Sequence, residues 1–100
     1  MASYRTDDGL EVEWDENKDR SNRRKHHVSL DEAATVFADP LSLITPDQDH
    51  SKGELRYHIV GMSAFNELLV VAYTERQGVV RIITARRPTR QERRNYEEGN

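Results

Sequence analysis

Six arginines fall between Arg81 and Arg94, with only Glu92 against them. A guanidinium group binds phosphate oxygens through two parallel hydrogen bonds and keeps its charge at every physiological pH. Arg81, Arg86 and Arg87 lie along or just past a segment rich in β-branched residues, and Arg56 lies in an earlier apolar one. An arginine that interrupts an apolar strand either protects a sheet edge with charge or faces an anion. Arg90, Arg93 and Arg94 fall on a helical segment and read as its solvated face. A second basic run, Arg23 to His27, ends in two histidines, and His58 shares a strand face with Arg56. Histidine is the usual proton shuttle near neutral pH. His26 and His27 fit equally a helix C-terminal charge, and His58 a half-buried ring with its hydrogen bonds met.

Other chemistries find little support. The chain has no cysteine, which removes disulfides, thiolate metal sites and thiol nucleophiles. Asp47, Asp49, His50 and Glu54 cluster in one segment, but the spacing lacks the sixth-position glycine and late glutamate of a calcium hand. There is no H-E-x-x-H, no nucleophile elbow and no G-x-x-x-x-G-K phosphate loop. Neither a metal nor another cofactor is expected.

The 100 residues suffice for one compact domain. A chain of this length buries about two-thirds of its unfolded surface, so a real core is possible, although charged residues make up 33% and hydrophobic ones 35%. The net charge of −3 is uneven: residues 1–50 carry 6 basic and 12 acidic side chains, a balance of −6, whereas residues 51–100 carry 9 and 6, a balance of +3. An acidic chain with two concentrated arginine patches suits one local phosphate-facing site rather than a general nucleic-acid coat. No apolar run approaches the roughly 20 residues of a membrane helix, and the N-terminus has no apolar signal core, so a cytoplasmic protein is expected.

The elements that must position these residues follow from pattern. Residues 1–9 are polar and turn-like and are expected to form a flexible extension to a single domain spanning 10–100. Leu10, Val12 and Trp14 alternate with glutamates, as in a short half-buried strand, and Trp14 reads as core. Asp15 is a helix N-cap, followed by acids early and bases late, yet this helix has no aliphatic or aromatic residue before Val28. A helix polar all round has no ordinary means of docking. Lys18, Asn22 and Lys25 share one of its faces. Ser29 and Glu32 form a capping box for an amphipathic helix ended by Asp39-Pro40. Leu41 to Thr45 reads as a brief extended segment. Strands at 55–62, 68–75 and 79–86 then make an antiparallel meander, and Thr89 with Glu92 caps a last helix. The expectation is an α+β fold in the order β-α-α-β-β-β-α.

Taken together, the segments WDENKDRSNRRKHHVSLDEAATVFADP and RIITARRPTRQERRNY closely resemble the BrnT family of bacterial toxins of type II toxin–antitoxin modules. That family carries W-D-x-x-K, K-H-G-V-S-F-x-E-A, F-x-D-P, R-I-I-S-A-R and E-R-x-x-Y, in that order, and the match runs from Val12 to Glu98. The resemblance implies a RelE-like fold, ribonuclease activity that blocks translation, and a small DNA-binding antitoxin of BrnA type that pairs with the toxin as a hetero-oligomer. Family motif residues present here are Trp14, Asp15, Lys18, Asn22, Lys25, His26, Arg81, Arg86 and Tyr96, with Arg56 where the family also has a strand arginine. Two positions depart from the pattern. The glycine of K-H-G-V is His27, which occupies a turn that favours positive φ, and the serine of I-S-A-R is Thr84.

On this reading the chain is a metal-independent endoribonuclease, because RNA brings its own nucleophile, the 2′-hydroxyl. Arg81 and Arg86, helped by Arg56, stabilise charge on the phosphorane, His26 transfers a proton, and Lys18, Lys25 and Arg87 bind RNA. The alternative is a catalytically degenerate module that only pairs with its antitoxin and modulates repression of the operon. An independent DNA-binding domain is disfavoured, since there is no helix-turn-helix signal and the net charge is negative.

Overall fold

Gln77 and Gly78 both adopt positive φ, +54° and +82°, the backbone that a two-residue hairpin turn requires. They join the two longest strands of the sheet. The computed structural model describes residues 1–50 and 53–99. Its strands are β1 (Ala2–Arg5), β2 (Glu11–Trp14), β3 (Leu43–Pro46), β4 (Tyr57–Met62), β5 (Leu68–Arg76) and β6 (Val79–Arg86). Its helices are α1 (Glu16–His26), α2 (Leu30–Ala34, continued by a 3₁₀ turn over Thr35–Ala38) and α3 (Arg90–Glu98).

The expected caps are present. Asp15 accepts from the Asn17 N–H at the start of α1, Ser29 accepts from the Glu32 N–H at the start of α2, and Thr89 and Glu92 make both halves of a capping box on α3. The Ser29 box is only half made, because the Glu32 carboxylate accepts from the Ser63 hydroxyl instead, at 2.7 Å.

Three expectations are corrected. Residues 2–5 are not a frayed extension: they pair antiparallel with β2, Ala2 opposite Trp14 and Tyr4 opposite Val12. The extended segment near Leu43 is a full strand on β4, so the element order has two strands more than expected. The sheet is mixed rather than antiparallel. Its order is β1-β2-β6-β5-β4-β3, and β2 runs parallel to β6. The path through α1, α2 and three further strands provides the long crossover that a parallel pair needs.

One face of the sheet carries the core. Val12, Trp14, Ile59, Val71, Tyr73, Val80 and Ile82 are buried there with Leu30, Ala33 and Ala34 of α2 and Val36 beyond it. Tyr57, stacked on Tyr73 at 5.5 Å, closes one end of this cluster. Gly61 sits where a Cβ would come within 2.8 Å of Val36 Cγ1, so glycine is what lets the 3₁₀ turn lie on β4.

The opposite face is divided. At one end α3 packs against β4, Tyr96 is buried, and Leu68 and Val70 are buried on that side. Along the same face β6 carries Arg81, Thr84 and Arg86, of which Thr84 is exposed, and the residues that could carry chemistry collect along this strand.

Candidate anion-binding site

The register of β6 decides which arginines share the open face. Thr74 pairs with Arg81, Tyr73 with Ile82, Ala72 with Thr84 and Val70 with Arg86, so Ile83 is an extra residue that forms a β-bulge. Side chains of a regular strand alternate between faces, and one bulged residue shifts the alternation. Ile82 and Ala85 therefore point into the core, while Arg81, Thr84 and Arg86 lie together on the other side.

Helix α1 runs beside this stretch, where the short strand β2 has ended. It docks through a buried amide. Asn22 Nδ2 donates to the Ala85 and Val28 carbonyls, both at 2.9 Å, and its Oδ1 accepts from the Ala85 N–H at 3.0 Å. The carboxamide thus satisfies both backbone groups of Ala85, as a neighbouring strand would. Asp19 adds a bond from the Leu30 N–H at 2.8 Å, which ties α1 to the start of α2. Hydrogen bonds replace the missing apolar stripe.

A cleft of about 220 Å³ opens between α1 and β6, lined by Lys18, Ser21, Asn22, Lys25, His26, Ile83 and Thr84. Lys18, Lys25 and His26 are exposed, and among the described residues none has a carboxylate within ion-pair distance. Hydroxyls of Ser21 and Thr84 line the cleft beside them. Arg87 is tied to its rim, since Nη1 donates to the His26 carbonyl at 3.3 Å. Unpaired cations and hydroxyls around an open cleft attract and orient an anion. His27, just outside, caps α1 in the left-handed conformation, with φ +58° and ψ +31°.

The strand arginines are held by acids. Arg81 pairs with Glu13 of β2 at 3.0 Å. Arg86 pairs with Glu92 of α3 through two bonds, at 2.8 and 2.9 Å. That contact pulls Glu92 down to about 2, through the Arg86 bonds first, with burial opposing and the Thr89 N–H adding to them. Arg56 precedes β4, half-buried, and its carbonyl accepts from the Asp47 N–H at 2.8 Å. It does not line the cleft, but with Arg81 and Arg76 it lowers the Glu54 carboxyl, the Arg76 bond being the main cause. The structure thus brings Lys18, Lys25, His26 and Arg87 together, sets Arg81 and Arg86 along the adjoining strand, and leaves Arg56 before β4, with β5 between it and β6.

His58 pairs with Asp47, Nε2 to Oδ2 at 3.3 Å. Among the described residues no three His, Asp or Glu side chains converge in a way that could hold a metal ion; of the segment that carries Asp47, Asp49, His50 and Glu54, the His50 side chain lies outside the described residues.

Two roles had no counterpart in the sequence reading. Asn22 appears there as one residue of a polar face and as a position of the family motif, with no docking role; a poor helix former amid charged residues was the physical signal. Glu92 appears as the one acid among six arginines and as half of a cap, but not as the partner of Arg86, which it follows by six positions.

A family model described as "Ribonuclease toxin, BrnT, of type II toxin-antitoxin system" matches residues 14–92. The fold is similar to that of the Brucella abortus ribonuclease toxin BrnT in its crystal structure, with a TM-score of 0.60 and 17% sequence identity over 79% of this chain and 96% of that one. No curated protein matches the sequence.

Proposed function

The chain belongs to the BrnT family, the ribonuclease toxins of type II toxin–antitoxin systems, and on that footing we propose that it is a metal-independent endoribonuclease on a RelE-like scaffold, neutralised in the cytoplasm by a BrnA-type antitoxin in a hetero-oligomer. The observation that carries this reading is the cleft between α1 and β6. Its Lys18, Lys25 and His26, with no carboxylate partner among the described residues, adjoin a strand that carries Arg81 and Arg86 on one side.

The chemistry follows from the substrate. Attack by the RNA 2′-hydroxyl on the adjacent phosphorus needs a base, an acid for the 5′-oxygen, and fixed positive charge on the phosphorane. Such preorganised charge is usually the largest catalytic contribution. Lys18, Lys25 and Arg87 bind the backbone, His26 moves a proton, and Arg86 and Arg81 stabilise the developing charge, with Arg56 adding to the field from its place before β4, two strands away. No helix among the described residues is long and apolar enough to cross a membrane.

The test is expression of the chain alone in bacteria, followed by cleavage of RNA by the purified protein with and without EDTA. Growth should stop, co-expression of the antitoxin should restore it, and chelator should leave cleavage unchanged. Loss of cleavage in EDTA with recovery on Mg²⁺ or Mn²⁺ would move attention to Asp47 and its neighbours. One observation favours the second reading, a degenerate binding module: both strand arginines are already engaged by carboxylates. Soluble, non-toxic expression with intact antitoxin binding would establish that reading.

A further inference from the structure

Glu92 grips the Arg86 guanidinium at its end. Nη1 donates to Oε1 and Nη2 to Oε2, while Nη1 also reaches the Arg87 carbonyl at 3.2 Å. The Nε–H and the second Nη2 hydrogen have no partner among the described residues. These two N–H groups lie parallel along one edge of the planar group, the geometry that takes two oxygens of a single phosphate.

Glu92 is itself fixed from two directions. Its Oε1 also accepts from the Thr89 N–H at 2.8 Å, and its own N–H donates to Thr89 Oγ1 at 3.2 Å. Four residues on, Tyr96 donates to Asp39 Oδ2 at 2.6 Å, and that same oxygen accepts from the Met62 N–H. Helix α3 is therefore anchored at its start by its own cap and at its end to β4, with Glu92 between. A free arginine on a half-exposed surface samples many rotamers; this one has a single supported orientation.

The carboxylate also costs the site something. It stays ionised at any working pH, so it cancels the charge of Arg86. A site that needed only to attract RNA would lose by having it. We infer that Glu92 is a positioning residue for the cleavage reaction, holding Arg86 so that its free Nε–Nη2 edge is presented on the open face of β6; this rests on reading Arg86 as the donor to the phosphorane. Removing Glu92 then has two opposed effects: one more unit of positive charge to draw RNA, and a loosened guanidinium that serves the transition state less well.

The experiment is steady-state cleavage of an oligoribonucleotide by the purified full chain. Glu92→Gln keeps an oxygen for the Thr89 N–H, so the helix cap survives, but it sets an amide N–H against Arg86. The expected result is a fall in kcat of about ten- to a hundredfold, since small misplacements at a reacting centre reach on the order of 10². KM should fall at the same time, and RNA binding should steepen in its salt dependence by about one phosphate contact. Glu92→Asp keeps the charge but is too short for the same grip; it should lose kcat with KM unchanged. A purely structural role predicts loss in proportion to the unfolded fraction and no change in KM. That result, or a wild-type kcat in both variants at equal melting temperature, overturns the inference. Arg86→Ala separates the two levels. If Arg86→Ala is inactive and Glu92→Gln behaves as wild type, the positioning role alone fails; if folded Arg86→Ala cleaves normally, the reading of Arg86 fails and the role of Glu92 with it.

Discussion

Arg81 and Arg86 stand an odd number of positions apart on one strand and yet share a face. Strict alternation would put one of them in the core. The bulge at Ile83 removes the conflict, and it does so without exposing Ala85, which stays fully buried beside Asn22. The same residue lines the cleft. A local irregularity in the ladder thus aligns two charges and shapes the ground between them and α1.

The Asn22 carboxamide gives the first prediction. It is 4% exposed and makes three hydrogen bonds to the backbone groups of Val28 and Ala85. Asn22→Ala leaves buried polar groups unpaired at about 1–3 kcal/mol each. In a domain of this size each kcal/mol lowers the melting temperature by roughly 4–8 °C. Asn22→Leu, although larger and apolar, should be no better, because the loss is of hydrogen bonds and not of volume. Thermal melts that leave both variants within a degree of wild type would mean that α1 is held by something else.

How far the sequence showed this in advance depends on the range of the interaction. Asp15, Ser29 and Thr89 are local signals, and each caps the helix expected of it. β5 was legible as a run apolar on both faces and β6 from its β-branched residues, and Trp14 as core from its alternation with Glu11 and Glu13. The parallel pairing of β2 with β6 was not, since Val12 and Val80 meet across the whole crossover and nothing local encodes their approach. β1 was hidden because Ala2 and Tyr4 give too short and too mild an alternation with Ser3 and Arg5. At the candidate site, the shared helix face of Lys18 and Lys25, with His26 beside it, was legible from charge and spacing. Their link to the strand was not, because one amide makes it.

His27 provides a second prediction. It sits in the left-handed region as the C-cap of α1, and its N–H donates to the Arg23 carbonyl at 3.0 Å. A residue with a Cβ pays roughly 1–2 kcal/mol there relative to glycine. His27→Gly should therefore stabilise the domain by about 1 kcal/mol, part of the gain being offset by the freer unfolded chain. Cleavage should persist, because the proton carrier on this reading is His26. A folded, inactive His27→Gly would transfer that role to His27.

The third prediction concerns pH. In the folded chain Glu92 is held at about 2, below its usual 4.5, chiefly by the Arg86 bonds. Asp39 is also lowered: burial pushes it up, but bonds from the Met62 N–H, the Tyr96 hydroxyl and the Leu41 N–H outweigh that. A carboxyl with a depressed folded pKa stabilises above its unfolded value and loses this as pH falls towards the folded one. Stability should therefore decline between pH 4.5 and 2. Tyr96 has the opposite sign. Burial first, then its bond to Asp39, raise it from 10 to about 12, so its contribution is complete below 10 and disappears as pH approaches 12. Urea midpoints across pH should show both limbs. Glu92→Gln should flatten the acid limb and Tyr96→Phe the alkaline one, where Tyr73, raised to about 12 mainly by burial, still titrates. An acid limb of the same depth in Glu92→Gln would show that the Arg86 pair contributes nothing to it.

The last prediction separates the two groups of arginines. Arg81 and Arg86 are half-buried on β6, each braced by a carboxylate, and their side faces Thr84 and the cleft. Arg90 and Arg93 are exposed on α3, and among the described residues Arg93 reaches Glu97 alone, at 4.0 Å. A braced guanidinium aimed at developing charge works in the transition state, and loss of such a donor typically costs about 2.7–4 kcal/mol, or on the order of a hundred- to a thousandfold in rate. Arg81→Ala and Arg86→Ala should accordingly abolish toxicity. Arg90→Ala and Arg93→Ala should each remove at most about one phosphate contact, and so change RNA affinity and its salt dependence only slightly. The strand variants also free an acid: Glu13 or Glu92 loses its partner and adds a negative charge beside the cleft. Double variants that neutralise it, Arg81→Ala with Glu13→Gln and Arg86→Ala with Glu92→Gln, distinguish lost catalysis from added repulsion. If catalysis is what the arginines supply, the doubles remain as inactive as the singles at matched melting temperature. Recovery of cleavage in the doubles would reduce the arginines to counter-ions of Glu13 and Glu92, and would leave Lys18, Lys25 and His26 as the whole of the site.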